Sequence, residues 1–133
     1  MTSTSSSYAD SKAIVQQALT ALIATGDVDA LARSLRDDFV HHRPDARNST
    51  KTEWLDSVRA ALVHLAGMQV DIQLVLADRD HVMMHSRRWL AGGPEIAVVD
   101  IWRIRDGLIA EAWEIIEPVA EATGHLTWWA PGH

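Results

Sequence analysis

One stretch limits what this chain can fold into more than any other. From Ile96 to Pro118 it reads IAVVDIWRIRDGLIAEAWEIIEP, two runs of alternating residues on either side of Asp106-Gly107. That dipeptide accepts the positive φ angles of a tight hairpin turn. Side chains alternate between the faces of a strand, so Val98, Asp100, Trp102 and Ile104 share one side of the first run. Ala112, Glu114 and Ile116 share a side of the second. Asp100 is therefore a carboxylate set among apolar neighbours in mid-strand. Such a group is either solvated on an open sheet face or an ionisable group buried for a purpose.

A chain of 133 residues, 47% hydrophobic and 23% charged, has the composition of one globular domain. The expected division is a disordered polar tail over 1–9 and a single domain over 10–133. A net charge of −6 argues against a nucleic-acid partner, which calls for a basic patch. The absence of cysteine removes disulfides, thiol catalysis and Cys-ligated zinc. MTSTSSSYADS lacks the basic and apolar regions of a signal peptide, and no apolar run approaches the roughly 20 residues that span a bilayer. A soluble, cytoplasmic chain without a membrane partner is the expectation. Six tryptophans beside one Tyr and one Phe serve either core packing or a pocket for a flat, greasy ligand.

Apolar residues at helical spacing predict a first helix from Asp10 through Ile14, Val15, Ala18, Leu19, Leu22 and Ile23, capped by Asp10 or Ser11 and ended by Gly26. Asp27 caps a short second helix carrying Val28, Leu31 and Leu35, which Asp37-Asp38 closes. Phe39 to His42 reads as a strand stopped before Pro44, and Asp45 to Ser49 as polar loop. Thr50 and Glu53 form a capping box for a third helix with Trp54, Leu55, Val58, Leu62 and Leu65 on one face, ended by Gly67. Strands follow over about 69–77, 81–90, 95–105 and 108–117. This order describes an α+β domain, with helices packed over one face of a curved antiparallel sheet that encloses a cone-shaped cavity.

TGDVDAL (25–31), DDFVHHRP (37–44), HSRRW (85–89), the hairpin over 98–119 and the tail ATGHLTWW together resemble the SnoaL-like branch of the NTF2-like superfamily, whose members include polyketide cyclases, ketosteroid isomerase and limonene-epoxide hydrolase. The resemblance spans nearly the whole chain and implies the NTF2-like cone, with three helices over its concave face. Asp100, in D-x-W-R, falls where ketosteroid isomerase keeps a protonated Asp that donates to the substrate oxyanion. That enzyme's catalytic Tyr would fall near Leu19 and its general-base Asp on Arg43, so steroid isomerisation is not implied. The branch's Q-H-N-P pattern places a His at His42 and its V-x-V-H-S pattern one at His85. Its H-W-D becomes Ala112-Trp113-Glu114.

Strand parity puts Met83, His85 and Arg87 on one face, and the resemblance assigns that face to the cavity with Asp100 and Glu114. The expected catalytic set is thus His42, His85, Asp100 and Glu114. Arg43, Trp54, Met83, Arg87 and Trp102 are the expected substrate-binding residues. Two imidazoles and two carboxylates suit proton abstraction next to a carbonyl, and so aldol-type cyclisation or isomerisation of a hydrophobic small molecule. A buried His85–Asp100 pair that merely pins two strands would account for the same residues. No metal is expected, because H-E-x-x-H is absent and the adjacent His41 and His42 point to opposite sides of their strand. No cofactor is expected either, since G-x-G-x-x-G, P-loop and G-x-S-x-G patterns are missing. Epoxide or ester hydrolysis, ring closure and non-catalytic ligand binding are the alternatives. Val99, Ile101, Trp113 and Ile115 on the outer sheet face predict a homodimer.

Overall fold

The Asp106-Gly107 turn forms as the dipeptide predicts, with φ of +53° and +78°, both in the left-handed region that a type I′ turn requires. The computed structural model describes residues 4–43, 45–64 and 67–119. Pro44, Leu65 and the ATGHLTWW motif lie outside the described residues. The turn joins β5 (Glu95–Arg105) to β6 (Leu108–Pro118), and β3 (Gln69–Asp78) and β4 (His81–Trp89) precede them in an antiparallel meander. All four strands lie within a residue of their expected bounds.

The first half departs further from the periodicity. Helix α1 runs Thr4–Thr25, so Asp10 and Ser11 are interior helical residues and not N-caps. Gly26, at φ +66°, ends it by donating its N–H to the Leu22 carbonyl at 2.8 Å. Asp27 then caps α2 (Val28–Arg33), its carboxylate accepting from the Ala30 N–H. Leu35 does not continue that helix. The Ser34 carbonyl accepts the Ile109 N–H at 2.8 Å, and Leu35 opens β1 (Leu35–His42) opposite Ile109. A three-residue strand β2 (Asn48–Thr50) occupies part of the expected loop and pairs antiparallel with β1. Its polar residues show no apolar alternation. The capping box forms in both directions at the start of α3 (Lys51–His64): Thr50 N–H donates to Glu53, and Glu53 N–H donates to Thr50 Oγ1.

The strands form one sheet in the order β2-β1-β6-β5-β4-β3, and β1 runs parallel to β6. The sheet is therefore mixed rather than wholly antiparallel. A register shift between Ile72 and Leu74 in β3, and another between Leu35 and Val40 in β1, interrupt the pairing and add to the curvature. Val15 and Ala18 of α1, Leu31 of α2 and Leu55 of α3 pack on Phe39, Val82, Met84, Trp102, Ile104 and Ala112 to form the core. No helix among the described residues is long and apolar enough to cross a membrane.

Candidate active site

Strand parity decides what the cavity contains. Val98, Asp100, Trp102 and Ile104 are all buried, so β5 presents the face that its alternation predicts. Asp100 stands opposite Glu114 on β6 and Met84 on β4, and Trp102 stands opposite Ala112 and Val82. The concave face of β4 is thus Val82, Met84 and Ser86, all buried, followed by Arg88.

Met83, His85 and Arg87 therefore lie on the convex face, opposite Ile101, Val99 and Ala97, and not in the cavity as expected. Arg87 is committed there to Glu95 at 2.9 Å. The same correction applies to β1. Phe39 is buried inward, two residues on His41 follows it, and His42 points outward. His42 stacks on Trp113 at 5.0 Å between centroids, while its ring nitrogens contact Glu111 and the Asn48 side-chain oxygen. Both misplacements have one cause. MMHSRR and VHHR carry similar residues at adjacent positions, so local alternation leaves the parity open. The inward position of Phe39 is the signal that identifies His41. The need of a buried Asp100 for a cation is the signal for Arg88.

The resulting cavity, about 1110 Å3, lies between the concave sheet face and helices α1 and α3. Leu19, Leu22, Trp54, Val58, Leu62 and Trp102 make most of it apolar, and Arg43, Asp100 and Glu114 line it as expected. The volume suits a small organic ligand. His41 and Arg88 also line it, with Gln16, Thr20 and Ser57 among its other polar residues.

Asp100 is 7% exposed, and Arg88 Nη2 donates to its Oδ2 at 2.6 Å. Arg88 Nε donates to the buried Ser86 hydroxyl at 3.1 Å, which fixes the guanidinium plane. Burial pushes the Asp100 carboxyl up to about 6, and Glu114 opposite adds to the rise against the pull of Arg88. Glu114 is also raised, by burial first, with Arg88 and Arg43 opposing. Two carboxyl groups with raised affinity for a proton thus share one apolar cavity with a guanidinium.

His41 is 5% exposed and stacks on Trp54 at 5.1 Å. Burial, with Arg43 and His42 nearby, pushes it down to about 4, so the ring is neutral at pH 7. Among the described residues no group of three His or carboxylate side chains converges as a metal site does.

Residues 15–112 match the sequence profile of the SnoaL-like domain family. No curated protein matches the chain in sequence. Among solved structures it is similar to IdmH of Streptomyces antibioticus, a proposed polyketide cyclase, at 19% identity and a TM-score of 0.69, over 85% of this chain and 98% of that one. An LEH-like epoxide hydrolase of M. tuberculosis gives 17% identity and a TM-score of 0.69, over 95% and 99%. An NTF2-like protein of unknown function from Mesorhizobium loti gives 19% and 0.70, over 83% and 93%. At these identities the likeness shows the fold.

Proposed function

The chain belongs to the SnoaL-like domain family, and on that premise we propose that it is an acid–base enzyme acting on a hydrophobic, carbonyl-containing small molecule. One observation carries the reading: Asp100 and Glu114 face each other across β5 and β6 in an apolar cavity, with Arg88 on Asp100. Arg88 holds Asp100 as a carboxylate in the resting site. A carboxylate whose proton affinity lies near pH 6 is a general base matched to neutral conditions. It removes the proton from the carbon next to the carbonyl. Arg88, the cation beside Asp100, stabilises the developing enolate oxygen, and Glu114, raised by burial, shares the site's proton affinity with Asp100. Arg88 offsets the negative charge that the two carboxyl groups and the enolate bring together. The enolate carbon then attacks a second carbonyl in an aldol-type closure, or is reprotonated elsewhere in an isomerisation. Arg43, Trp54 and Trp102 line the space that the substrate fills.

Expected site residues on the convex face belong to a different role in this reading. Met83 and His85 join Val99, Ile101, Trp113 and the 56%-exposed Ile115 on a sheet surface that Leu74 and Leu76 extend across β3. An apolar patch over four strands is costly to leave in water, and a homodimer through this face would cover it.

The test is proton exchange in heavy water. Ketones, β-keto esters and aromatic polyketide mimics are incubated with the wild type and with Asp100→Asn while C–H loss is followed by NMR. Exchange that vanishes in Asp100→Asn supports the reading. Ligands that bind the wild type without exchange sink it. The facing carboxyl pair also favours a second reading, epoxide opening, in which one carboxyl protonates the epoxide oxygen while the other deprotonates water. Diol formation from an apolar epoxide without carbon-acid exchange would select that reading.

A further inference from the structure

His41 is a buried polar group of the cavity that the proposed chemistry leaves idle. Its Nδ1 is buried without a hydrogen-bond partner, and the ring lines the cavity. A buried polar atom left unpaired is rare in a folded chain, and in the wall of a cavity it points to a ring that a bound ligand can satisfy. The ring is held flat against Trp54, itself packed on Phe39 at 5.2 Å, so its place in the wall is set by packing and not by hydrogen bonds.

Resting on the reading that the cavity takes the substrate, we infer that His41 is a substrate-specificity residue that hydrogen-bonds a hydroxyl group of the ligand, remote from the reacting carbonyl. Three observations select a hydroxyl. A neutral imidazole has one donor and one acceptor nitrogen, and a hydroxyl complements either. The ring itself offers a carboxylate no charge, because burial beside Arg43 keeps it neutral. A carbonyl would satisfy one tautomer only.

The register gives the separation. His41 stands beside Ala112, Ala112 opposite Trp102, and Asp100 two residues further along β5. Two strand spacings and two residues of rise place the His41 and Asp100 Cα atoms roughly 12 Å apart. That span fits a fused polycyclic skeleton with the hydroxyl on a ring other than the one that reacts. Trp54 and Trp102 present aromatic surface between the two ends.

The experiment compares 2-hydroxyanthraquinone with anthraquinone, following the quenching of tryptophan fluorescence in the wild type, His41→Phe and Asp100→Asn. The wild type is expected to prefer the hydroxylated compound about tenfold, one hydrogen bond's worth. His41→Phe keeps the stack on Trp54 and should bind both compounds equally. Asp100→Asn should keep the preference. A second readout needs no variant: the ring 15N resonances of His41 should move when the wild type is titrated with the hydroxylated compound and stay still with anthraquinone. Equal binding of the two compounds by the wild type, or a preference that survives in His41→Phe, overturns the inference. Carbon-acid exchange without a hydroxyl preference overturns this inference alone. A His41-dependent preference without exchange overturns the carbonyl chemistry alone.

Discussion

Arg88 stands opposite Ile96 in the sheet, yet its guanidinium reaches diagonally to Asp100, which stands opposite Met84, and closes on its Oδ2 at 2.6 Å. The contact joins neighbouring strands on the concave face and leaves Asp100 with its charge countered on one side and an apolar cavity on the other. Two opposed effects therefore act on one carboxyl, and burial wins.

The first consequence is a pH profile. A general base works deprotonated, so kcat/KM should fall as pH drops through about 6. A pH–rate profile on any exchange-active ketone checks this, and an acid limb near 4 would remove Asp100 from the role of base.

The same carboxyl couples stability to pH with the opposite sign. Its folded value of about 6 lies above the ordinary value of 3.8, so between these pH values the folded chain binds more protons than the unfolded one. Stability from this group falls as pH rises through that window, by up to roughly 3 kcal/mol. Urea unfolding of the wild type and Asp100→Asn should show their difference shifting in favour of the variant from pH 4 to pH 7. A constant difference would contradict the shift.

Arg88→Gln separates the two effects. Without the guanidinium, the Asp100 carboxylate loses its countercharge, and the acid limb should move up by roughly one to three pH units. Loss of one partner of a buried pair costs about 3–5 kcal/mol while the other is charged. The destabilisation should therefore be large at pH 8 and shrink at pH 5, where Asp100 takes up a proton. Thermal melts at both pH values read it directly.

The two sheet faces predict different losses. Glu114→Gln, in the cavity, should lower kcat by roughly 100-fold or more. His85→Ala, on the convex face, should leave kcat/KM within about threefold, as surface changes away from a site usually do. Sedimentation velocity of Ile115→Asp should in turn show a loss of dimer. A large kcat loss in His85→Ala with none in Glu114→Gln would reverse the face assignment.

Phe39 supports the wall from behind. It is 1% exposed and packs on Trp54, which carries His41. Phe39→Ala should cost about 3–5 kcal/mol, and Phe39→Leu far less, in denaturant titrations.

The α+β order, the four meander strands, the Asp106-Gly107 turn, the Asp27 cap and the Thr50–Glu53 box were legible from the chain alone. Each depends on neighbours a few residues apart: a period, a cap or a turn. The shared faces of Asp100 with Trp102 and of Glu114 with Ala112 were legible for the same reason, because β5 and β6 alternate cleanly, whereas the burial of Asp100 was left open. Which face of β1 and β4 meets the cavity was not. His41 and His42, Met83 and Met84, Arg87 and Arg88 are chemically alike at adjacent positions, and a shift of one residue exchanges their faces. Long-range pairing settles the choice: Phe39 packs into the core, Met84 comes opposite Asp100, and β1 aligns parallel to β6. Local sequence determined that this chain builds helices over a curved sheet with a carboxylate among apolar neighbours in mid-strand. Tertiary packing decided that this carboxylate is buried and that Arg88 and His41 join it, because only the assembled sheet specifies which side of each strand is inside.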